Sequence, residues 1–163
     1  MGFDAIAPYY DRLSRLVFGQ SLIRAQTHFL HKINSNSRIL VLGGGTGWWL
    51  KDLLRQTPSC KIVYVEPSVR MLKLAMEATG NDPRITFIKG THGFLPIGEK
   101  FDAVIAFCFF DLFSSRMLPN VVEKIVKCIQ PNGLLLVTDF VKTRWSSRCA
   151  GSESCLPWHR DRA

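Results

Sequence analysis

The chain has 163 residues, 47% hydrophobic and 21% charged, which suits one globular domain with one core. Its longest apolar stretch, Ala103 to Phe110, is too short to span a membrane; Asp4 and Asp11 exclude a secretory leader, and Ile6 excludes a myristoylation signal after Gly2. Of the net charge of +8, +3 comes from residues 142–163, and the rest is spread without a basic stripe interleaved with aromatics. That excludes a nucleic-acid binder on charge and leaves an anionic substrate or a membrane surface as the partners a positive balance favours.

Residues 5–17 and 20–33 read as two helices, the second with Leu22, Ile23, Gln26, Phe29, Leu30 and Ile33 on one face. Arg38 to Leu42 is a strand apolar on both faces, as a central parallel strand is. Thr46 to Gln56 reads as a helix opened by Trp48 and Trp49, one packing on the sheet and the other walling a pocket. Lys61 to Val65 is the second strand, and Ser68 caps a helix with the stripe Val69, Leu72, Ala75, Met76 and Thr79, ended by Gly80. Arg84 to Ile88 is the third strand and residues 90–100 an irregular loop. Phe101 to Phe107 is the fourth strand. Pro119 opens a helix with Val122, Ile125, Val126 and Ile129 inward, and Leu134 to Phe140 is the fifth strand. This alternation predicts a doubly wound α/β fold with a mostly parallel sheet, whose ligand site lies beyond the carboxyl ends of the strands.

That edge collects Gly43 to Gly47, Glu66, Gly90 to His92 (with Thr91 between them) and Phe107 to Asp111. Gly43, Gly45 and Gly47 form G-x-G-x-G after a strand, and Glu66 closes the next one. Glycines let the backbone turn sharply and approach a ligand, and the carboxylate suits ribose hydroxyls. Trp48 stands where the dinucleotide fingerprint needs a small residue, and no lysine follows to make a phosphate-binding loop. The pattern points to a cofactor with ribose and adenine but no phosphates, which S-adenosylmethionine satisfies.

The residues resemble the class I S-adenosylmethionine-dependent methyltransferases, nearest the branch acting on ubiquinone and menaquinone precursors. The resemblance is carried by Phe3-Asp4-Ala5-Ile6-Ala7-Pro8-Tyr9-Tyr10-Asp11, by Leu42 to Gly47, by Val65-Glu66-Pro67-Ser68 with Met71-Leu72, by Phe101-Asp102-Ala103-Val104, and by Ile129-Gln130-Pro131-Asn132-Gly133-Leu134-Leu135. It covers residues 3–141 and implies a methyltransferase domain over 1–141, with 1–35 a helical lid that contributes Tyr10. It further implies Gly43, Gly44 and Gly45 at the methionine end, Glu66 with Pro67 at the ribose, Thr91 or His92 at the adenine, and Phe107 against the cofactor. The reaction implied is methyl transfer to a small-molecule acceptor, with quinone precursors among the candidates.

There are three departures. Val41 stands where the family carries an acid, Thr91 where it often carries Asp or Asn, and the chain stops after the fifth of seven strands. Residues 142–163 form an irregular basic tail without strand pattern. The bare edge of the fifth strand therefore predicts a homodimer through it or poor solubility. A cofactor-binding protein without transfer stays open. A nicotinamide oxidoreductase is disfavoured, because no tyrosine has a lysine four residues on.

No catalytic residue follows from the sequence. Asp111, the only acid read at this edge, is open to a base role or a turn-cap role. Five cysteines without a C-x-x-C pair read as reduced thiols in a cytoplasmic protein. No metal site is expected from His28 with His31, or from Cys149, Cys155 and His159.

Overall fold

A computed structural model describes residues 7–91, 93 and 98–140, leaving aside the side chains of residues 7–15 and 18. Helix α1 spans Ala7–Thr27, followed by strand β1 (Arg38–Leu42), α2 (Leu50–Gln56), β2 (Lys61–Glu66), α3 (Val69–Thr79), β3 (Ile85–Lys89), β4 (Phe101–Phe107), α4 (Leu118–Cys128) and β5 (Ile129–Thr138). The strands form one all-parallel sheet in the order β3-β2-β1-β4-β5.

Alternate residues of each strand point to opposite faces, and both faces are covered. Ile39, Val41, Tyr64 and Ile105 pack on one side with Leu50 and Leu53 of α2 and Ala75 of α3. Leu40, Leu42, Val104 and Ala106 pack on the other with Val121, Ile125 and Cys128 of α4. This is the doubly wound α/β architecture expected. The chain leaves β1 toward β2 and β3 and returns on its other side as β4, so the crevice beyond β1 and β4 is the switch point where ligands bind in such sheets.

Four local expectations are corrected. The two N-terminal helices are joined as α1 and divided at Gly19 (φ 56°, ψ −141°); the second ends at Thr27, so Phe29 falls beyond its apolar face and is exposed. Helix α2 starts at Leu50 rather than Thr46, because Gly45 and Gly47 hold left-handed φ of 65° and no right-handed turn propagates through them. The inward face of α4 is Val121, Ile125 and Cys128, while Val122 and Val126 face outward and Ile129 opens the next strand. Strand β5 begins at Ile129, opposite Phe101. Residues 130–133 then bulge before Leu134 pairs with Ala103, so Pro131-Asn132-Gly133 lies inside the strand as an irregularity.

The expected ends of α3 are present. Ser68 Oγ accepts from the Met71 amide at 3.1 Å, and Gly80 ends α3 at φ 64°. Among the described residues, no helix is long and apolar enough to cross a membrane. Cys60, Cys108 and Cys128 are free thiols. No group of His, Cys, Asp and Glu could hold a metal among the described residues. The predicted tail falls outside those residues.

Candidate active site

The site is built on a braced turn. β1 feeds into it, with the Gly43 amide donating to the Val65 carbonyl at 2.9 Å and so continuing the ladder to β2. The Gly45 amide donates to Glu66 Oε2 at 3.0 Å, and the Ser68 amide donates to Glu66 Oε1 at 3.0 Å. Glu66, 4% exposed at the end of β2, thereby ties the glycine turn to the start of α3. From below, the Tyr64 hydroxyl donates to the Gly45 carbonyl at 2.9 Å. A Cβ on Gly44 would lie 2.3 Å from Tyr64 Cζ, so only glycine lets the turn rest on that ring. A Cβ on Gly45 would meet nothing within 4 Å, so that residue borders open space.

Tyr64 is the functional residue that sequence reasoning missed. It is the register partner of Val41, the position that lacks the expected acid. Val41 itself is fully buried in the core. The turn is therefore braced from β2, by Tyr64 and Glu66, rather than by a carboxylate on β1. The available signal was parity: Tyr64 and Glu66 are two apart on one strand and share a face.

A cavity of about 260 Å³ opens beside the turn. Of the residues expected at the site, Gly43, Gly44, Gly45, Glu66, Pro67, Thr91 and Phe107 line it together. Tyr10 lies on α1 with its side chain outside the described residues, and His92 lies outside them altogether. Both tryptophans border the cavity. Trp49 is buried with its ring 5.2 Å from Phe107, edge to face, and Trp48 is half-buried. Gln26, Met71, Phe109, Leu112 and Phe113 add walls that the sequence did not assign.

Asp111 is not among the lining residues and sits exposed in a 3₁₀ turn, Phe110–Leu112. Nor is it the only acid at that edge. Asp139 Oδ2 accepts from the amides of Phe110 (2.7 Å) and Asp111 (3.2 Å), holding the turn that follows β4. Among the described lining residues the ionisable groups are Glu66 and Cys108. Burial, and then the negative charges of Asp139 and Asp111, push the Cys108 thiol up to about 11, so it stays protonated at neutral pH.

The glycine turn is locked to a carboxylate at the switch point of the sheet, and residues 39–133 match the family described as "Methyltransferase domain". The chain belongs to that family. Among its relatives, the demethylmenaquinone methyltransferase of Chlamydia felis is 31% identical, over 82% of this chain and 57% of its own. The malonyl-[acyl-carrier protein] O-methyltransferase of Priestia megaterium is 29% identical, over 85% of this chain and 47% of its own. The chain thus spans about half the length of these curated relatives. Among solved structures, a DhpI–SAM–HEP complex superposes with a TM-score of 0.72 at 20% identity, covering 87% of this chain and 64% of that one. Coclaurine N-methyltransferase, bound to N-methylheliamine and SAH, gives 0.62 at 18% identity, covering 73% and 36%. These likenesses show a shared fold.

Proposed function

We propose that the chain binds S-adenosylmethionine and transfers its methyl group to a small-molecule acceptor. The observation that carries this is the hydrogen-bonded unit Gly45–Glu66–Ser68, braced by Tyr64, at the mouth of the cavity. When bound, the cofactor supplies a methyl already activated on a sulfonium. Gly43, Gly44 and Gly45 would hold its methionine end, Glu66 beside Pro67 the ribose hydroxyls, and the Thr91 hydroxyl the adenine. A carboxylate offers about four acceptor positions, so Glu66 can serve the turn and a ribose together. The Phe107 ring at the cavity wall would face the positive sulfur, an attraction of about 0.5–2 kcal/mol.

With the leaving group already good, the chain's task is alignment and exclusion of water, which its aromatic walls supply. Neither described ionisable lining group suits a general base: Cys108 stays protonated and Glu66 accepts two backbone amides. The acceptor we propose is therefore one whose attacking atom needs no strong base, quinone-precursor-like molecules included. Incubation with S-adenosylmethionine and a small-molecule library, read by intact mass, tests this. Products heavier by one methylene unit support transfer. Tight cofactor binding with no product across the library favours the second reading, a cofactor-binding protein without transfer. That reading is favoured by Val41 in place of the acid and by the [4+2]-cyclase SpnF, which shares this fold at a TM-score of 0.60 and 22% identity.

Three further parts of the reading are also proposals. The N-terminal segment through residue 35 acts as a lid, supported by the reach of Gln26 into the cavity from α1. Two copies associate through β5, supported by its place at the sheet edge and by the exposure of Leu135 (38%) and Val137 (46%). A cytoplasmic location is supported by the free thiols Cys60, Cys108 and Cys128.

A further inference from the structure

Helix α1 brings to the cavity one polar side chain that the proposed cofactor contacts leave without a role. Gln26 is 8% exposed and lines the cavity wall. Its Nε2 donates to the Cys108 sulfur at 3.7 Å, while its Oε1 is shielded from solvent and has no hydrogen-bond partner among the described residues. A buried carbonyl left unpaired is costly and rare in folded proteins, and at a cavity wall it marks where a ligand completes the pairing.

Its position identifies which ligand. The Thr138 hydroxyl of β5 donates to the Ala25 carbonyl at 3.2 Å, and Gln26 meets Cys108 just past β4. Gln26 therefore stands over the β4–β5 end of the cavity. Glu66 ends β2 and Thr91 follows β3, at the other end, where the ribose and adenine would lie. Phe109, Leu112 and Phe113, which follow Cys108 in the chain, line the same cavity. The negative charges of Asp139 and Asp111 also act on Cys108 and oppose an anionic group beside it.

We infer that Gln26 reads the methyl acceptor: its amide oxygen accepts a hydrogen bond from a neutral O–H or N–H on an otherwise apolar or aromatic molecule. The inference rests on the methyltransferase reading for the identity of that molecule. It makes Gln26 a specificity-determining residue that selects protic, uncharged acceptors over carboxylates, although the chain as a whole is basic.

The test uses three probes with one ring and different heads: p-cresol, 4-methylanisole and p-toluate. Each is titrated by ligand-observed NMR at pH 7 into the chain saturated with S-adenosylhomocysteine, as wild type and as Gln26→Leu. The wild type should bind p-cresol at least fivefold tighter than the other two, as one net hydrogen bond implies. Gln26→Leu should erase that preference while keeping S-adenosylhomocysteine affinity within twofold. Equal wild-type binding of p-cresol and 4-methylanisole, absence of p-cresol binding, or a preference for p-toluate overturns the inference without relying on the variant. A variant that keeps the p-cresol preference also overturns it. So does one that loses S-adenosylhomocysteine instead, because the amide then serves the cofactor. Failure of the wild type to bind S-adenosylhomocysteine overturns the methyltransferase reading, and this inference with it.

Discussion

Gly44→Ala is the sharpest perturbation of the braced turn. Gly44 does not hold a positive φ, so alanine is conformationally admissible and the effect is steric. The new Cβ would lie 2.3 Å from Tyr64 Cζ and 2.4 Å from its hydroxyl oxygen. Carbon atoms rest about 3.5–4.0 Å apart, so the ring must retreat by about 1 Å or more. Tyr64 is fully buried with its ring 5.3 Å from that of Phe87, and a close-packed core gives it little room. Retreat also breaks its 2.9 Å bond to the Gly45 carbonyl. Overpacking at about 1–3 kcal/mol and the lost hydrogen bond at about 1 kcal/mol give about 2–4 kcal/mol of destabilisation. Urea unfolding measures it, and calorimetry should show S-adenosylhomocysteine binding at least tenfold weaker. In a double-mutant cycle, Tyr64→Leu should relieve the alanine by about 1 kcal/mol or more. A Gly44→Ala chain as stable as wild type, with unchanged affinity, refutes the brace.

Glu66→Ala should weaken S-adenosylhomocysteine binding at least tenfold and also lower stability, since Gly45 and Ser68 both lose their acceptor; calorimetry and urea unfolding check the two effects. The raised Cys108 pKa means the folded chain holds its proton more tightly than the unfolded chain, whose thiol titrates near 9.0. Stability from this group is complete below about pH 9 and is lost as pH rises to about 11; Cys108→Ala should flatten the melting temperature across that window. Asp82, held down to about 2 by hydrogen bonds from Arg84, works in the opposite sense, and its share of stability is lost as pH falls from about 4 to 2. Urea unfolding of Asp82→Asn should show no such loss. Val137→Lys on the exposed face of β5 should shift light scattering from dimer to monomer; a wild-type chain that is strictly monomeric at high concentration removes the dimer.

The fold was legible because its central strands are apolar on both faces and its helices carry apolar stripes, and β1 and β4 have the predicted bounds. The site was legible where it depends on local chain: the glycine turn is one short segment, and Glu66, Ser68 and the Met71 amide that Ser68 caps lie within six positions. The inward face of α4 was misread by one residue because Val121 and Val122 are equally apolar neighbours, and the sheet chooses between them. What remained hidden depends on register and long-range contact. Tyr64 comes under the turn only when β1 and β2 pair Val41 with it. Gln26 meets Cys108 across 82 positions, and Asp139 reaches Phe110 across 29. No short-range pattern encodes such pairs.

The central claim is that the braced turn cradles an S-adenosyl cofactor. Thermal shift of the wild-type chain with S-adenosylhomocysteine and with NADH, each across a concentration series, tests it most directly. The account predicts a saturable rise in melting temperature with S-adenosylhomocysteine and none with NADH. A rise with NADH alone, or with neither, would contradict it.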